Sequence, residues 1–473
     1  MIEQIEGINI AVEGCFHGNF DEIFGTIREI EKQKKIKIDL LLVCGDVQTH
    51  RNKHDMFNMA CPIKYLSMGT FYKYYQGKEA APCLTIFIGG NHEASNYLRE
   101  MYFGGWVAPN IYYLGDSNII QIKKGNTTFK LGGTSGIFKI FDFNNPKLES
   151  FPFKSEQLRS VYHTKQVDLF KLSLYEGEVN MFLSHDWPQQ IHQHGSTKEL
   201  LKKKQNFEAD IKSGRLGSQP HKFTLERLQP DFWFAAHMHV KFEALVKHKS
   251  GKQTKFLALD KCIAGRDFLQ VFTYTKDKQD LYEQFAYNDE PIELFYDSEW
   301  LSIVHTTYKL LTIWDKIPKL FEYNPALKEL QIMKKDKYQE FLNEKHQRMK
   351  IFGNHKIKIP NNFEITSPPY DEQDNTIKSL VPPNRVPLNN QMKSYLNLFN
   401  ESGQELNGLI FYEPDQPRII GEFVTPDFLQ KQIELENQKE ILQQKDLQQQ
   451  EQQEEPSSPK DDELNIQDFP FLQ

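Results

Sequence analysis

The sequence predicts an α/β or α+β fold, and two features of residues 8 to about 270 support this prediction. Short runs of β-branched, aliphatic or aromatic residues alternate with segments whose apolar residues recur at helical spacing. The run at residues 39–44, Asp-Leu-Leu-Leu-Val-Cys, is almost continuously apolar. Such a run is typical of a strand that is buried on both faces, and a chain with this alternation usually packs helices against a sheet.

The predicted elements follow one another along this region. A strand at 8–12 precedes a helix at 20–33, whose apolar residues lie three or four positions apart. The later predicted strands are at 39–44, 84–88, 111–114, 119–122, 127–131, 181–183, 233–236, 256–259 and 268–274. Mainly helical patterns follow at 294–311 and 326–349.

Length and composition divide the chain into three parts. At 473 residues it is too long for one ordinary core, and its composition changes after about residue 285. Residues 430–455 are rich in Gln and Glu and do not sustain a heptad pattern, so no coiled coil is expected there. We therefore expect a domain at 1–260, a smaller mixed or helical domain at 261–395 and a low-complexity, disordered tail at 396–473.

Charge, hydropathy and cysteine content bear on three properties of the protein: nucleic-acid binding, membrane insertion and disulfide formation. The net charge of -7 gives no overall nucleic-acid signature, so an anionic substrate would have to be held by local positive charge. No apolar run is long enough to predict a membrane span. The five cysteines are odd in number and lack paired spacing, which favours free thiols in a reducing compartment.

Five of the predicted strands end in loops that carry potential metal ligands. A dinuclear hydrolytic site needs ligands from several loops and a carboxylate that can bridge two cations. Imidazole and carboxylate groups suit Zn, Mn or Fe, and a thiolate favours softer metals. The sequence therefore predicts a dinuclear metal site and favours a phosphodiester hydrolase. The candidate ligands are Cys15, His17, Asp46, Asn91, His185, His237 and His239.

Each of these motifs alone also has an ordinary structural interpretation. Cys15 would be a buried thiol, Gly45-Asp46 a turn or a helix cap, and Asn91 a turn residue that tolerates positive φ. His237 and His239 share one face of an extended segment, a pattern that is ambiguous by itself. The occurrence of all five loops at strand ends favours the metal site.

The order of these motifs resembles the calcineurin-like metallophosphoesterase superfamily. The resemblance implies a four-layer sandwich, with two sheets packed between helices, for the catalytic domain at 1–260. Within this superfamily, the sequence motifs resemble those of the RNA lariat debranching enzyme family. These motifs are at 14–18, 44–48, 88–93, 183–188 and 236–242. Segments 135–139, 158–163 and 256–262 extend this narrower resemblance, which runs from about residue 8 to 308.

The resemblance implies two metal pockets that share one carboxylate. One pocket would contain Cys15, His17, Asp46 and His239, and the other Asp46, Asn91, His185 and His237, with Asp46 as the bridge. Cys15 stands where most superfamily members have Asp, which implies a softer first pocket. The implied cofactors are two divalent ions, Fe²⁺, Zn²⁺ or Mn²⁺.

The resemblance also implies a reaction and roles for further residues. The reaction would be hydrolysis of the 2′,5′-phosphodiester at the branch of an excised intron lariat RNA, with His92 protonating the leaving 2′-oxygen. The alternative role of His92 is to orient another group. Glu93 and Asp186 are expected to orient histidine side chains. In the family, residues 131–164 form a lariat recognition loop, in which the RNA-contacting candidates are Phe138, Lys139, Arg159 and Tyr162.

Two other functions remain open from the sequence. One is a general metallophosphatase or 3′,5′-phosphodiesterase, and the other is a non-catalytic RNA-binding protein of the same fold. The expected partner is branched RNA, with no membrane association. A monomeric protein located in the nucleus is expected from the substrate and the family.

Overall fold

The computed structural model describes residues 7–147, 149, 153–275, 281–282, 290–311, 319–324, 329–333, 335–353, 356–372, 386–387, 389–400 and 411–412. Across these ranges, no helix combines the length and the apolar character that crossing a bilayer requires.

The described strands and helices are numbered in chain order. The strands are β1 (Ile8–Glu13), β2 (Leu40–Val43), β3 (Leu84–Phe87), β4 (Gly105–Ala108), β5 (Ile111–Tyr113), β6 (Ser117–Lys124), β7 (Thr127–Thr134), β8 (Met181–Ser184), β9 (Phe232–Ala235), β10 (Phe242–Lys247), β11 (Gln253–Ala258), β12 (Leu269–Tyr274), β13 (Leu281–Tyr282), β14 (Glu293–Tyr296), β15 (Phe321–Asn324), β16 (Glu329–Ile332), β17 (Val386–Pro387) and β18 (Phe411–Tyr412). The helices are α1 (Phe20–Lys34), α2 (Lys53–Phe57), α3 (Phe71–Tyr75), α4 (Ser95–Arg99), α5 (Gln157–Ser160), α6 (Gln166–Ser173), α7 (Thr197–Lys203), α8 (Glu208–Ser213), α9 (Gln219–Leu228), α10 (Ser298–Thr307), α11 (Lys335–Phe352) and α12 (Asn390–Asn400).

Two seven-stranded mixed sheets form the centre of the molecule. Their strand orders are β13-β12-β1-β2-β3-β5-β4 and β10-β11-β9-β8-β7-β6-β14. In the first sheet β1, β2, β3 and β5 run parallel, and in the second β7, β8, β9 and β11 run parallel. Because parallel strands end at the same edge, the loops after β1, β2 and β3 lie together, as do those after β8 and β9.

Alternate residues of the central strands face two different cores. In β2, Leu40 and Leu42 belong to the inner core between the sheets, whereas Leu41 and Val43 face the outer layer. Helix α1 packs on that outer layer through apolar side chains that include Phe20 and Phe24. Burying each such side chain stabilises the fold by about 1.5–3 kcal/mol. The two buried faces explain the continuous apolar runs, and they confirm the predicted four-layer sandwich.

The strands predicted between residues 8 and 274 are all present, with ends that differ by a few residues. The helical interpretation of 294–311 and 326–349 is wrong at the strand that the structure describes in each range. Residues Glu293–Tyr296 form β14, which pairs with the edge strand β6, and Glu329–Ile332 form β16, which pairs with β15. Helices α10 and α11 begin only after these strands.

Strands from beyond residue 260 belong to both sheets of the predicted catalytic domain. Strand β12 pairs with β1 and β14 pairs with β6, so residues beyond 260 complete both sheets of the catalytic domain. Helix α12 crosses the predicted boundary at 395, and its Tyr395 and Phe399 are buried. Most of the predicted tail at 396–473 lies outside the described residues.

Candidate metal centre

The loops that follow β1, β2 and β9 bring four of the predicted ligands together. One ligand atom each from Cys15, His17, Asp46 and His239 lies within 4.8 Å of the others. The imidazole Nε2 atoms of His17 and His239 are 3.4 Å apart. A thiol, two imidazoles and a carboxylate at such distances match the donor set of a single cation.

A second group of ligands adjoins the first through Asp46. The Nε2 atom of His185 lies 3.2 Å from Asn91 Oδ1 and 3.3 Å from Asp46 Oδ1. The rings of His185 and His237 are 4.9 Å apart between centroids. This second group therefore contains the four side chains that the resemblance assigned to it.

The Asp46 carboxylate lies between the two groups and presents one oxygen to each. Its Oδ2 atom is 3.8 Å from Nε2 of His17, whereas Oδ1 is the atom that faces His185. Oδ1 also accepts hydrogen bonds of 2.8 Å from the backbone N–H groups of Asn91 and His92. The carboxylate is almost fully buried and fixed in orientation, as a group that bridges two cations must be.

Two of the histidines are neutral, and a third has its tautomer fixed by a backbone carbonyl. Burial lowers the pKa of His237 to about 3 and that of His239 to about 4. His185 Nδ1 donates a 2.7 Å hydrogen bond to the Cys44 carbonyl, which leaves the Nε2 lone pair facing Asp46 and Asn91. Neutral imidazole in a fixed tautomer is the form that binds metals.

Backbone strain is concentrated at the centre. Five non-glycine residues of these loops have φ between 50° and 64°. They are His17, Asp46, Gln48, His237 and His239. Each such conformation costs free energy and persists only where the surrounding structure enforces it, as at functional sites. Gly90 is required for a different reason, because a Cβ at this position would lie 2.2 Å from Asp46 Oδ1.

Glu93 connects two of the loops through their backbones. Its carboxylate accepts hydrogen bonds of 2.8 Å from the N–H groups of Val47, Gln48 and Gly90. Burial, with Asp46 nearby, raises its pKa to about 7. The sequence predicts that Glu93 orients a histidine ring, but the hydrogen bonds that the structure describes for its carboxylate are with the loop backbones. It therefore fixes the position of Asp46 relative to Asn91.

Replacing Glu93 by Gln should lower the metal affinity of the centre by about 10- to 100-fold, the usual effect of losing a group that orients ligands. The Glu93 carboxylate accepts the three N–H groups with two oxygens, whereas the Gln amide has one oxygen and an NH2 group that cannot accept, so one loop loses its support. Isothermal titration calorimetry with the metal ion measures the change in affinity. Glu29→Gln is the matched control, because Glu29 is exposed and its carboxylate contacts Gln33 of its own helix. Unchanged affinity in Glu93→Gln would contradict the role.

Asp186 has a different environment from the one expected. Its Oδ1 accepts a 2.9 Å hydrogen bond from the N–H of Trp187, and burial raises its pKa to about 6. The carboxyl group also accepts from the backbone of Phe138. Among the contacts that the structure describes, none joins the Asp186 carboxylate to a histidine ring. Asp186 therefore holds the start of the predicted recognition loop.

The backbone of His92, rather than its ring, supports the centre. Its N–H group binds Asp46, while its ring lies beside His17 with 5.9 Å between centroids. Within the described part of the chain, the Nδ1 atom of His92 is buried and has no hydrogen-bond partner. The ring thus lies at the centre, and its Nδ1 atom orients no side chain that the structure describes.

The predicted recognition loop at 131–164 is tied to the loop that contains Asn91. Gly136 donates a 2.8 Å backbone hydrogen bond to Gly89, and Gly89 donates to the Ser135 hydroxyl. Burial and nearby Asp46 raise the pKa of Tyr162, while Arg159 lowers it. Tyr162 therefore lies within electrostatic range of both the bridging carboxylate and the exposed Arg159.

The other two RNA-contacting candidates differ in exposure. Lys139 is exposed. Phe138 is half-buried and packs edge-on against Phe143 at 5.5 Å. By contrast, Phe141 is 77% exposed, and its described ring contact is an edge-on one with His163. Sequence composition does not distinguish the two, because both lie in the same run of aromatic residues.

Comparison with known proteins decides the family. Residues 8–241 match the model of the calcineurin-like phosphoesterases, and residues 251–401 match that of the lariat debranching enzyme C-terminal domain. Lariat debranching enzyme A of Xenopus laevis is 43% identical over 379 residues, which are 79% of this chain and 67% of that protein. The chain belongs to the lariat debranching enzyme family. The lariat debranching enzyme of Drosophila melanogaster is 41% identical over 432 residues, 82% of this chain and 77% of the relative. The chain is thus a hydrolase.

The calcineurin-like fold implies divalent metal ions, and the residues of this lariat debranching family member fit them. The donor atoms converge, His237 and His239 are neutral, and the carboxylate faces both groups. Gly90 keeps the space beside Asp46 open. One feature had no sequence signal, the Cys44 carbonyl that orients His185. Gln48 lies in the motif at 44–48 that carried the resemblance, and its amide lies 3.3 Å from Nδ1 of His17.

Proposed function

We propose that this chain hydrolyses the 2′,5′-phosphodiester at the branch of excised intron lariat RNA and so linearises the RNA for turnover. The observation that carries the proposal is the pairing of two ligand groups on one carboxylate, with the thiol of Cys15 in the first group. The relatives named lariat debranching enzyme support the choice of substrate.

The residues of the chain have separate tasks in this reaction. Divalent ions bound at the centre would lower the pKa of a coordinated water and offset the negative charge of the phosphate. Asp46 and the histidines would hold these ions, and Glu93 fixes the loops that carry Asp46 and Asn91. His92 holds a proton toward the 2′-oxygen, which leaves as a hydroxyl group. The recognition loop binds the RNA so that the branch, rather than another phosphodiester, lies at the centre.

Tyr162 and Arg159 are suited to bind the RNA beside the branch. An aromatic ring offers a face on which a base can stack, and a guanidinium pairs with phosphate oxygens. Replacing Arg159 by Ala should raise KM for a branched RNA by about tenfold, the loss of one charge-assisted hydrogen bond. A small phosphodiester without flanking nucleotides provides the control, and its KM should be unchanged in steady-state kinetics.

The proposed activity is tested by offering the purified protein a 2′,5′-branched RNA and a linear RNA of the same sequence. We expect cleavage at the branch and no cleavage of the linear 3′,5′ links. Cleavage of the linear RNA alone would favour a 3′,5′-phosphodiesterase, and binding without cleavage of either would favour a non-catalytic RNA-binding protein.

We propose that the two ions are drawn from Fe²⁺, Zn²⁺ and Mn²⁺, and that Cys15 biases the choice. Its sulfur is fully buried and accepts a 3.1 Å hydrogen bond from the N–H of His237. Replacing Cys15 by Asp should shift the preference of the first pocket from Zn²⁺ toward Mn²⁺ by at least about tenfold, since a carboxylate is a harder ligand. Competition between the two metals, followed by elemental analysis, measures the shift.

Cys44→Ala is the control for this substitution. Cys44 is also a fully buried thiol, but it lies outside the group of ligand atoms. Its replacement should leave the metal preference unchanged. An equal shift in both variants would show that the Cys15 thiol has no special role in metal choice.

We also propose a nuclear location and a monomeric state. Excised introns are produced in the nucleus, which favours that location for an enzyme that acts on them. The ligands of both pockets come from a single chain, so no second copy is needed to complete the site. Imaging of a fluorescent fusion and light scattering of the purified protein test the two proposals.

A further inference from the structure

One lysine, Lys261, lies beside the Cys15 pocket but is not among the candidate ligands. Segment 260–262 runs next to the loop after β1 and forms an isolated parallel bridge in which Lys261 is opposite Cys15. The Cys15 N–H donates to the Asp260 carbonyl at 3.3 Å, and the Cys262 N–H donates to the Cys15 carbonyl at 3.4 Å. The backbone of Lys261 is therefore fixed next to a metal ligand.

Lys261 lies beside the less buried part of the pocket. It is opposite Cys15 in the isolated bridge, and the side chain of His17 in the same group of ligands is 22% exposed. His239 is also only half-buried. Lys261 is therefore a neighbour of a ligand group that solvent, and thus an anion, can reach.

No described residue neutralises this ammonium group. Lys261 is half-buried, and within the described ranges its Nζ atom makes no hydrogen bond and no ion pair. The neighbouring Asp260 carboxylate is engaged elsewhere, because it accepts from the Lys261 backbone N–H and pairs with Arg266 at 3.2 Å. A half-buried cation beside a pocket for anionic substrates is suited to bind a phosphate oxygen.

The position of Lys261 complements that of the recognition loop. Backbone hydrogen bonds tie that loop to Gly89, beside the second group of ligands, whereas Lys261 adjoins the first group. A phosphodiester that lies over Asp46 would then be contacted from the Cys15 side as well. Positive charge on this side would offset the charge that develops on the phosphate oxygens during attack.

We propose that the Lys261 ammonium group binds a non-bridging oxygen of the scissile phosphate and holds it over the Cys15 pocket. The inference rests on the proposed phosphodiesterase function of this site and names a further substrate-binding residue for it.

The test replaces Lys261 by Met, which keeps the length of the side chain and removes its charge. In the metal-loaded protein, the inhibition constant of inorganic phosphate should rise by about 10- to 100-fold, as expected for losing one hydrogen bond between charged groups. KM for branched RNA and for bis(p-nitrophenyl) phosphate should rise as well, with metal content unchanged. Lys261→Arg should restore most of the phosphate affinity.

Lys241→Met is the matched control, because Lys241 lies two residues beyond His239 and its ammonium pairs with Glu243 at 3.4 Å. It should leave phosphate inhibition unchanged. Unaltered phosphate inhibition in Lys261→Met would overturn the proposal, and so would a loss of bound metal, which would make Lys261 a structural support of the pocket. If the wild type cleaves only linear RNA, the proposed substrate fails, while the phosphate measurement still decides the role of Lys261.

Discussion

Replacing Asp46 by Asn should remove both metal ions and abolish hydrolysis. The two carboxylate oxygens face different groups of ligands, so a neutral amide weakens both pockets at once. The expected decrease in kcat/KM exceeds the roughly 100- to 1,000-fold typical of removing a single preorganised group. Elemental analysis of the purified variant and branched-RNA kinetics measure the two effects.

Asn tests the bridging role of Asp46 more specifically than Ala, because it disturbs the fold less. Asp46 has a φ of 54°, a conformation that Asn tolerates, whereas Ala would add about 1–2 kcal/mol of strain. The Asn oxygen can still accept the N–H groups of Asn91 and His92. The free energy of unfolding in the presence of a chelator should therefore change little, which separates loss of metal from loss of fold.

Asp39→Asn provides the control at the opposite end of the same strand. Asp39 precedes β2 and pairs with Lys124 at 2.7 Å, so its replacement removes a buried ion pair without touching the centre. That variant should lose stability but keep its metal. Retention of two ions by Asp46→Asn would refute the bridging role of Asp46.

The sequence was sufficient to predict the strands and the candidate ligands that come together at their ends, because both follow from local patterns. A strand that is buried on two faces must be apolar throughout, as in Leu40–Val43, and the following loop stands out by its Gly and Asp. The convergence of the loops then follows from the parallel order of the strands. The domain limits were harder to place, because β12 and β14 return to the sheets from a distant part of the chain.

Contacts made by backbone atoms were not predictable from residue types. The Cys44 carbonyl orients His185, and Glu93 binds N–H groups rather than an imidazole. Every residue carries these backbone groups, so the sequence does not mark the ones that matter. For the same reason, the place of Lys261 beside Cys15 depends on a pairing that only the fold creates.

Replacing His92 by Gln should leave metal content unchanged and lower turnover of branched RNA by about 100- to 10,000-fold, the range for losing a general acid. The metal should remain because His92 supports Asp46 through its backbone N–H, which Gln also possesses. The ring itself makes no hydrogen bond through its buried Nδ1 within the described structure. Its removal therefore takes away a proton donor without removing a support of the centre.

The leaving group distinguishes a proton donor from a residue that only positions the substrate. A 2′-hydroxyl leaves poorly as an anion and needs a proton, whereas p-nitrophenolate is stable as an anion and leaves without one. His92→Gln should therefore slow hydrolysis of bis(p-nitrophenyl) phosphate far less than hydrolysis of branched RNA. If both substrates slow equally, His92 positions the phosphate or the centre rather than donating a proton. If metal is lost instead, the ring is a structural part of the site, because the backbone bond to Asp46 is the same in both proteins.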